Sequence, residues 1–144
     1  MKELSIEAKV NNLNKVLAFV TGILEEAGCS MKLQMQIEVA VEEIFVNIAH
    51  YAYTPNVGGA TILAEVAGDP QTLTIVFKDQ GIPFNPLLKE DPDVEAKAAD
   101  RSIGGLGIYM VKKSTDDMRY ERTDGYNILT LVKRIRFSWE NYLQ

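Results

Sequence analysis

The chain has 144 residues, of which 47% are hydrophobic and 24% charged, and a net charge of −5, values typical of one globular domain. One Cys and one His exclude an internal disulfide and argue against a zinc centre. No apolar run approaches the ~20 residues of a membrane helix, and no basic block favours nucleic-acid binding. The charged, alternating N-terminus does not resemble a signal peptide, so we expect a cytoplasmic protein.

The first half of the chain predicts a strand followed by two helices. The alternating stretch at residues 4–10 is typical of a half-buried strand. Apolar residues at helical spacing then indicate a helix that Asn11 or Asn12 caps and Gly28 ends. Ser30 is a suitable cap for a second, longer helix that continues to about Ala49.

The second half predicts two hairpins, with an irregular segment and a helix between them. Strands at residues 60–68 and 72–79 are joined by "GDPQ", and two further strands within residues 118–137 are joined by "TDG". Residues 80–103 are rich in Pro and Asp, and the following helix is opened by glycines in "GLGIYMVKKSTD". The order β-α-α-β-β-loop-α-β-β predicts an α+β fold with a largely antiparallel sheet and helices on one face.

The second predicted helix carries a carboxylate and an amide one turn apart. Glu43 and Asn47 are four residues apart and project roughly 40° from each other, so both can address one cation, water or phosphate. A solvated helix edge is the alternative that this pair alone leaves open. The apolar residues that we expect to meet the core recur on one face of the helix: Ile37, Val41, Ile44 and Ile48.

The strand at residues 72–79 ends on an acidic residue, followed by two Pro and one Gly in "DQGIPFNP". An acid at the end of a buried strand must be solvated, paired or bound. When ionised, Asp79 can only accept hydrogen bonds, which suits a ligand that offers an N–H, such as an adenine amino group. Gly81 permits a close backbone approach or a positive φ. An ordinary turn is the alternative interpretation.

A third motif is the glycine-rich start of the last helix, "SIGGLGIYMVKKSTD". Gly104, Gly105 and Gly107 leave backbone N–H groups available to an anion at the helix N-terminus. The spacing matches neither the P-loop nor the dinucleotide fingerprint. A flexible loop end is therefore the alternative for this motif taken alone.

The three motifs in this order resemble the GHKL ATPase domains of gyrase, heat-shock chaperones, histidine kinases and mismatch-repair proteins. The chain is most similar to the stand-alone bacterial anti-sigma-factor serine kinases, over nearly its whole length. The resemblance implies a two-layer α/β sandwich of the Bergerat type, with residues 1–144 forming a single ATP-binding domain. It also implies ATP and Mg²⁺ as cofactors.

The resemblance implies a role for each matching residue. Asn47 would ligate Mg²⁺ and Glu43 would be the general base. Asp79 would bind the adenine amino group, and Gly81 would lie in the adenine pocket. Thr130 matches less closely a threonine that the family often places near adenine.

The resemblance also implies a lid over ATP at about residues 82–104. The backbone of Gly105 and Gly107 would receive the phosphates. Gly104 and Lys112 are further phosphate candidates, although Lys112 is equally compatible with a surface lysine. Arg101 could reach the γ-phosphate or be a solvated charge of the lid.

Two features depart from the family pattern. Members often carry His four residues after the Asn, where this chain has Tyr51; His50 falls one position earlier, and we interpret it as a helix-surface or capping residue. The predicted lid is also long and acidic, and an aromatic tail, "RFSWENYLQ", follows the last strand.

The sequence is compatible with three functions. The first is a regulatory protein kinase that phosphorylates Ser or Thr of an antagonist protein and binds a sigma factor or another partner, as a homodimer by resemblance. The second is a nucleotide-gated binding module without turnover. The third is a detached histidine kinase domain, whose substrate His would have to come from another protein.

Overall fold

The computed structural model describes residues 1–88 and 105–135, and the rest of the chain lies outside the description. The described elements are β1 (Lys2–Glu7), a 3-10 turn (Val10–Asn12), α1 (Leu13–Glu26), α2 (Met31–Asn47), a π-helical turn (Ile48–Ala52), β2 (Gly59–Ala67), β3 (Thr72–Asp79), a second 3-10 turn (Pro86–Leu88), α3 (Gly105–Ser114), β4 (Asp117–Thr123) and β5 (Tyr126–Arg134). None of the described helices combines the length and apolar character needed to cross a membrane.

The described strands form one antiparallel sheet in the order β1-β2-β3-β5-β4. This arrangement confirms the predicted α+β fold with an antiparallel sheet. The register pairs the last residue of β3, Asp79, with Ala60 of β2 and with Asn127 of β5. The sheet register therefore brings two distant polar residues side by side at one end of the central strand.

The hydrophobic core lies between the helices and one face of the sheet. Alternate residues of β2, β3 and β5 are buried and join buried residues of α1, α2 and α3 in one cluster. On β3 these residues are Leu73, Ile75 and Phe77, and Asp79 continues the same face. Because side chains alternate along a strand, a residue one position away points to the opposite face.

Local signals fix several element ends as predicted. The Ser30 hydroxyl accepts a hydrogen bond from the Leu33 N–H (3.3 Å) and caps α2. Gly28, just beyond α1, has a φ of 72°, the left-handed conformation that commonly ends helices. Asp124 (φ 52°) and Gly125 (φ 82°) form the turn between β4 and β5, as expected for a tight hairpin.

The first strand differs from the predicted range of residues 4–10. β1 is Lys2–Glu7, because its pairing with β2 ends at Glu7 opposite Gly59. Asn12 does not cap α1 with its side chain; its Nδ2 donates instead to the Glu7 carbonyl (2.9 Å). This contact stabilises the turn between strand and helix.

The second helix also ends differently from the prediction. α2 stops at Asn47, and the chain continues in the π-helical turn Ile48–Ala52 rather than as α-helix to Ala49. A π-helical turn inserts an extra residue into the helical repeat and is common near functional sites. Here it directly follows Asn47 and brings Tyr51 to the pocket described below.

Candidate functional site

A pocket opens between the C-terminal end of α2, the π-helical turn, α3 and the ends of β3 and β5. Its walls are mostly apolar and include Ile44, Phe77 and Ile108. The polar side chains that reach it are Asn47, Tyr51, Asp79, Tyr120 and Asn127. An apolar cleft with a few convergent polar groups is the usual form of a small-molecule site. Asp79 and Asn127 define what we term the carboxylate end of the site. Asn47, together with Glu43 and Gly107 of the adjoining groove, defines the helix end.

At the carboxylate end, Asp79 is 6% exposed and held by two hydrogen bonds. Its Oδ1 accepts from the Gly81 N–H (2.9 Å) and from Asn127 Nδ2 (2.9 Å). Its Oδ2 accepts no hydrogen bond from any residue in the described ranges. Asp79 lines the pocket, and a carboxylate oxygen that is not already used there is suited to a ligand N–H.

Position 81 requires a glycine because the backbone of the π-helical turn approaches it closely. A Cβ at this position would overlap the carbonyl and side chain of Ala52 in the π-helical turn. The next residue, Ile82, donates its N–H to the same Ala52 carbonyl (2.9 Å). Gly81 is buried but does not itself line the pocket. Its structural effect is to let the chain that follows β3 pack against the π-helical turn beside the pocket.

At the helix end, the side chains of Glu43 and Asn47 contact each other as their spacing predicts. Asn47 Nδ2 donates to Glu43 Oε1 (3.2 Å), and both residues are half-buried. Because Asn47 makes this bond with its amide nitrogen, the Oδ1 of Asn47 is left as an acceptor. Asn47 lines the pocket, whereas Glu43 lines the adjacent groove between α2 and α3.

Gly107 brings α3 against the Glu43 carboxylate. A Cβ on Gly107 would overlap both carboxylate oxygens of Glu43. Gly107 therefore has a packing role in this structure. Its phosphate-binding role stays a prediction. Gly105 is the first residue of α3. Arg101 and Gly104 lie outside the described residues.

Thr130 does not line the pocket, so the structure does not place it where the resemblance implied. It lies three positions from Asn127 on β5 and therefore points to the opposite face of the sheet. There it lines a separate surface cleft with Arg119 and Ile128. Lys112 is half-buried on α3 and is not among the residues that line the pocket.

Asn127 is a site residue that the sequence-based predictions missed. It is 7% exposed, lines the pocket and contacts Asp79. The sequence does carry a signal for it: Asn127, Leu129 and Leu131 are the alternate, buried positions of β5. A polar residue on the buried face of a strand needs hydrogen-bonding partners. Such a residue is therefore a candidate for a polar site.

Tyr53 supports the carboxylate end from outside the pocket. Its hydroxyl donates to the Gly59 carbonyl (2.6 Å) and accepts from the Gln80 N–H (2.7 Å). Burial raises the pKa of Tyr53 above its usual value of 10.0, and the nearby Asp79 charge raises it further, against the opposing effect of the Gln80 hydrogen bond. The neutral hydroxyl is thus kept in place beside the end of β3.

The helix end fits a magnesium ion that takes few ligands from protein. The described ranges contain no cluster of three or more His, Cys, Asp or Glu residues suited to a metal. The amide oxygen of Asn47, whose nitrogen bonds Glu43, is a hard ligand of the type that Mg²⁺ prefers. Mg²⁺ commonly binds through one or two protein groups together with substrate phosphates and waters. Asn47 is therefore the residue that would hold it here.

The chain has an antiparallel sheet with helices on one face, and a carboxylate and a helix amide meet at one pocket. These features are those of an ATP-binding domain of the GHKL type. The sequence profile of the family described as "Histidine kinase-like ATPase domain" matches residues 6–133. Because that match spans most of its length, the chain belongs to this family.

Relatives and a solved structure agree with this assignment. The chain is 26% identical to "Serine-protein kinase RsbW" of Bacillus mycoides strain KBAB4 over 131 residues, 88% of this chain and 81% of that protein. It is 26% identical to "Serine/threonine-protein kinase BtrW" of Bordetella bronchiseptica over 103 residues, 72% of each chain. The crystal structure of the RsbU and RsbW domains of Rv1364c from Mycobacterium tuberculosis has the same fold, with a TM-score of 0.65 at 20% identity. That alignment covers 96% of this chain and 34% of the other. The chain is thus close to RsbW-type anti-sigma-factor kinases.

Proposed function

We propose that the chain is an ATP-dependent serine/threonine protein kinase of the anti-sigma-factor type. It would transfer the γ-phosphate of ATP to a Ser or Thr of an antagonist protein. The observation that carries the proposal is that one pocket presents Asp79 and Asn47, with Glu43 hydrogen-bonded to the latter. These are the side chains that the family resemblance assigns to adenine, Mg²⁺ and proton transfer.

The carboxylate end would recognise the base. The unused Oδ2 of Asp79 can accept a hydrogen bond from the adenine amino group. The flat apolar ring would contact apolar walls that include Phe77 and Ile108. A charge-assisted hydrogen bond in a site shielded from water is stronger than the same contact at the surface.

The helix end would act on the phosphates and the acceptor. Bound Mg²⁺ would offset negative charge on the phosphates. Asn47 would bind that ion, and the N-terminal backbone of α3 at Gly105 and Gly107 would face the phosphates. The acceptor hydroxyl oxygen would bond to the γ-phosphorus as the bond from that phosphorus to the ADP oxygen breaks. Glu43 would take the hydroxyl proton.

The partners we propose rest on the resemblance to anti-sigma-factor kinases. The relatives are named serine or serine/threonine protein kinases, which supports a protein acceptor. That acceptor would be a small antagonist protein. A sigma factor would be a second partner, bound by a homodimer of this chain in the cytoplasm. The predicted lid at residues 82–104 would close over ATP; residues 89–104 lie outside the described part of the chain.

One observation favours a second candidate, a nucleotide-gated binding module without turnover. The Glu43 carboxylate contacts Gly107 and accepts from Asn47, so it could serve only to orient the metal ligand. ATP would then order a binding surface without transferring its phosphate.

The test is incubation of the purified chain with Mg²⁺, γ-labelled ATP and candidate acceptor proteins. The kinase proposal expects acid-stable label on a Ser or Thr of one acceptor, with one ADP formed per label. ATP binding without label on any acceptor would support the binding module instead. Acid-labile label on a His would indicate a histidine kinase domain, and failure to bind ATP would contradict all three.

A further inference from the structure

Asn127 is a buried amide whose four hydrogen-bonding positions are all used. Its Nδ2 donates to Asp79 Oδ1 (2.9 Å) and to the Ile82 carbonyl (2.8 Å). Its Oδ1 accepts from the Phe84 N–H (3.3 Å) and the Tyr120 hydroxyl (2.5 Å). A primary amide has two N–H donors and two acceptor lone pairs, so this network fixes which way the amide faces.

This amide determines how the Asp79 carboxylate is oriented. One side of Oδ1 is bonded by the backbone N–H of Gly81 and another by Asn127, both at 2.9 Å. Rotation of the carboxylate would break at least one of these bonds inside a buried site, which is costly. Oδ2 is thereby kept available as an acceptor at the pocket.

We propose that Asn127 is a positioning residue that makes the pocket select adenine over guanine nucleotides. The inference rests on the proposed recognition of adenine by Asp79. Adenine presents an amino donor at its 6-position, where guanine presents a carbonyl acceptor. A carboxylate oxygen held as an acceptor attracts the first group and repels the second.

The same amide also positions the chain that leaves β3. Ile82 and Phe84 are 62% and 42% exposed, yet both line the pocket and both are hydrogen-bonded through their backbone to Asn127. One side chain thus links base recognition to the pocket wall that would flank the base. Loss of Asn127 should therefore affect selectivity as well as affinity.

Asn127→Asp tests the inference, because it keeps the size and the acceptor oxygen but removes both donors. Two adjacent carboxylates disfavour joint ionisation, so one takes up a proton and can donate to a guanine carbonyl. We expect the ATP affinity to fall about tenfold or more and the ratio of ATP to GTP affinity to fall with it. Titration calorimetry with each nucleotide gives both quantities, and thermal unfolding reports whether the variant is folded.

Ile128→Val is the matched control, since Ile128 lies on the same strand as Asn127 but on the opposite face of the sheet. Both affinities should stay within about twofold of the wild type, the scatter expected for a surface substitution. If Asn127→Asp does not fold, Asn127→Ala removes the donors without adding charge. An unchanged ATP-to-GTP ratio in either folded variant would overturn the inference.

Asp79→Asn separates this inference from the proposed function. It should lower ATP affinity at least about tenfold and remove the selectivity, because an amide presents a donor or a weaker acceptor to the base. Unchanged ATP affinity in folded Asp79→Asn would remove the adenine assignment itself. A loss in Asp79→Asn together with wild-type selectivity in Asn127→Asp would remove only the role of Asn127.

Discussion

The carboxylate end and the helix end of the site differ in burial and in hydrogen bonding. Asp79 and Asn127 are 6% and 7% exposed and belong to a network of five hydrogen bonds. Glu43 and Asn47 are half-buried and share one bond of 3.2 Å. The first end is rigid before any ligand arrives, whereas the second leaves an amide oxygen and a carboxylate available for ligand or metal. This difference suits recognition at one end and chemistry at the other.

The largest expected effect is at the helix end, on the rate of transfer. Glu43→Gln keeps the size but cannot accept a proton, and a positioned base contributes about 10²–10⁴-fold to rate. Single-turnover transfer to the acceptor should fall by that factor while ATP affinity is retained. Glu42→Gln, an exposed neighbour on α2, is the control and should leave the rate unchanged. A loss below about tenfold in Glu43→Gln would assign Glu43 an orienting role only.

The next effect is on the magnesium dependence of binding. Asn47→Ala removes the amide oxygen that we assign to Mg²⁺, which has few protein ligands here, so most of the enhancement of ATP affinity by Mg²⁺ should be lost. Calorimetric titrations with and without Mg²⁺ measure it. Asn14→Ala, on the exposed side of α1, is the control. Wild-type Mg²⁺ enhancement in Asn47→Ala would make Asn47 an ordinary helix-edge amide.

The third prediction concerns the contact between α3 and α2. Gly107→Ala places a methyl group where the Glu43 carboxylate lies. The end of that flexible side chain can rotate away at little cost in unfolding free energy, but it then leaves its position beside Asn47. Single-turnover transfer should therefore be slower, while denaturant unfolding should change little. Gly22→Ala in α1 is the matched control: its Cβ would meet no atom within 4 Å, so it should leave the rate unchanged and stabilise by about 0.5–1 kcal/mol. Wild-type transfer in folded Gly107→Ala would contradict the contact.

The smallest expected effect is on the unfolding free energy, when the Tyr53 hydroxyl that supports the carboxylate end is removed. Tyr53→Phe removes a hydroxyl that bridges Gly59 and Gln80, which should cost about 1 kcal/mol of unfolding free energy. Tyr51→Phe, at an exposed ring of the neighbouring turn, should cost less.

The raised pKa of Tyr53 predicts the direction in which the folding stability changes with pH. Its pKa is raised in the folded state from 10.0, so the folded protein holds this proton more tightly than the unfolded chain. The resulting stabilisation is complete below pH ~10 and is lost as the pH rises through the folded pKa. Unfolding measured from pH 8 to 11 should therefore show a steeper decline in the wild type than in Tyr53→Phe. Parallel declines would contradict the raised pKa.

Sequence patterns predicted most of the fold because they act over short distances. The Ser30 cap and the turn at Asp124 and Gly125 each depend on a few neighbouring residues. The prediction erred on β1, where pairing with β2 rather than local alternation sets the end at Glu7. It also missed the π-helical turn, since the same apolar spacing is compatible with a continued α-helix.

The same distinction between local and long-range effects applies to the residues of the candidate site. The sequence by itself determined that Glu43 and Asn47 meet, because residues four apart on a helix are neighbours whatever the rest of the chain does. Only the tertiary structure decided that Asn127 holds Asp79 across 48 residues, that Thr130 faces away, and that Gly107 lies on Glu43. The register of a sheet and the packing of one helix on another depend on the pairing and burial of the whole chain. A change of one residue in register would have turned Asn127 to the opposite face and brought its neighbour to Asp79.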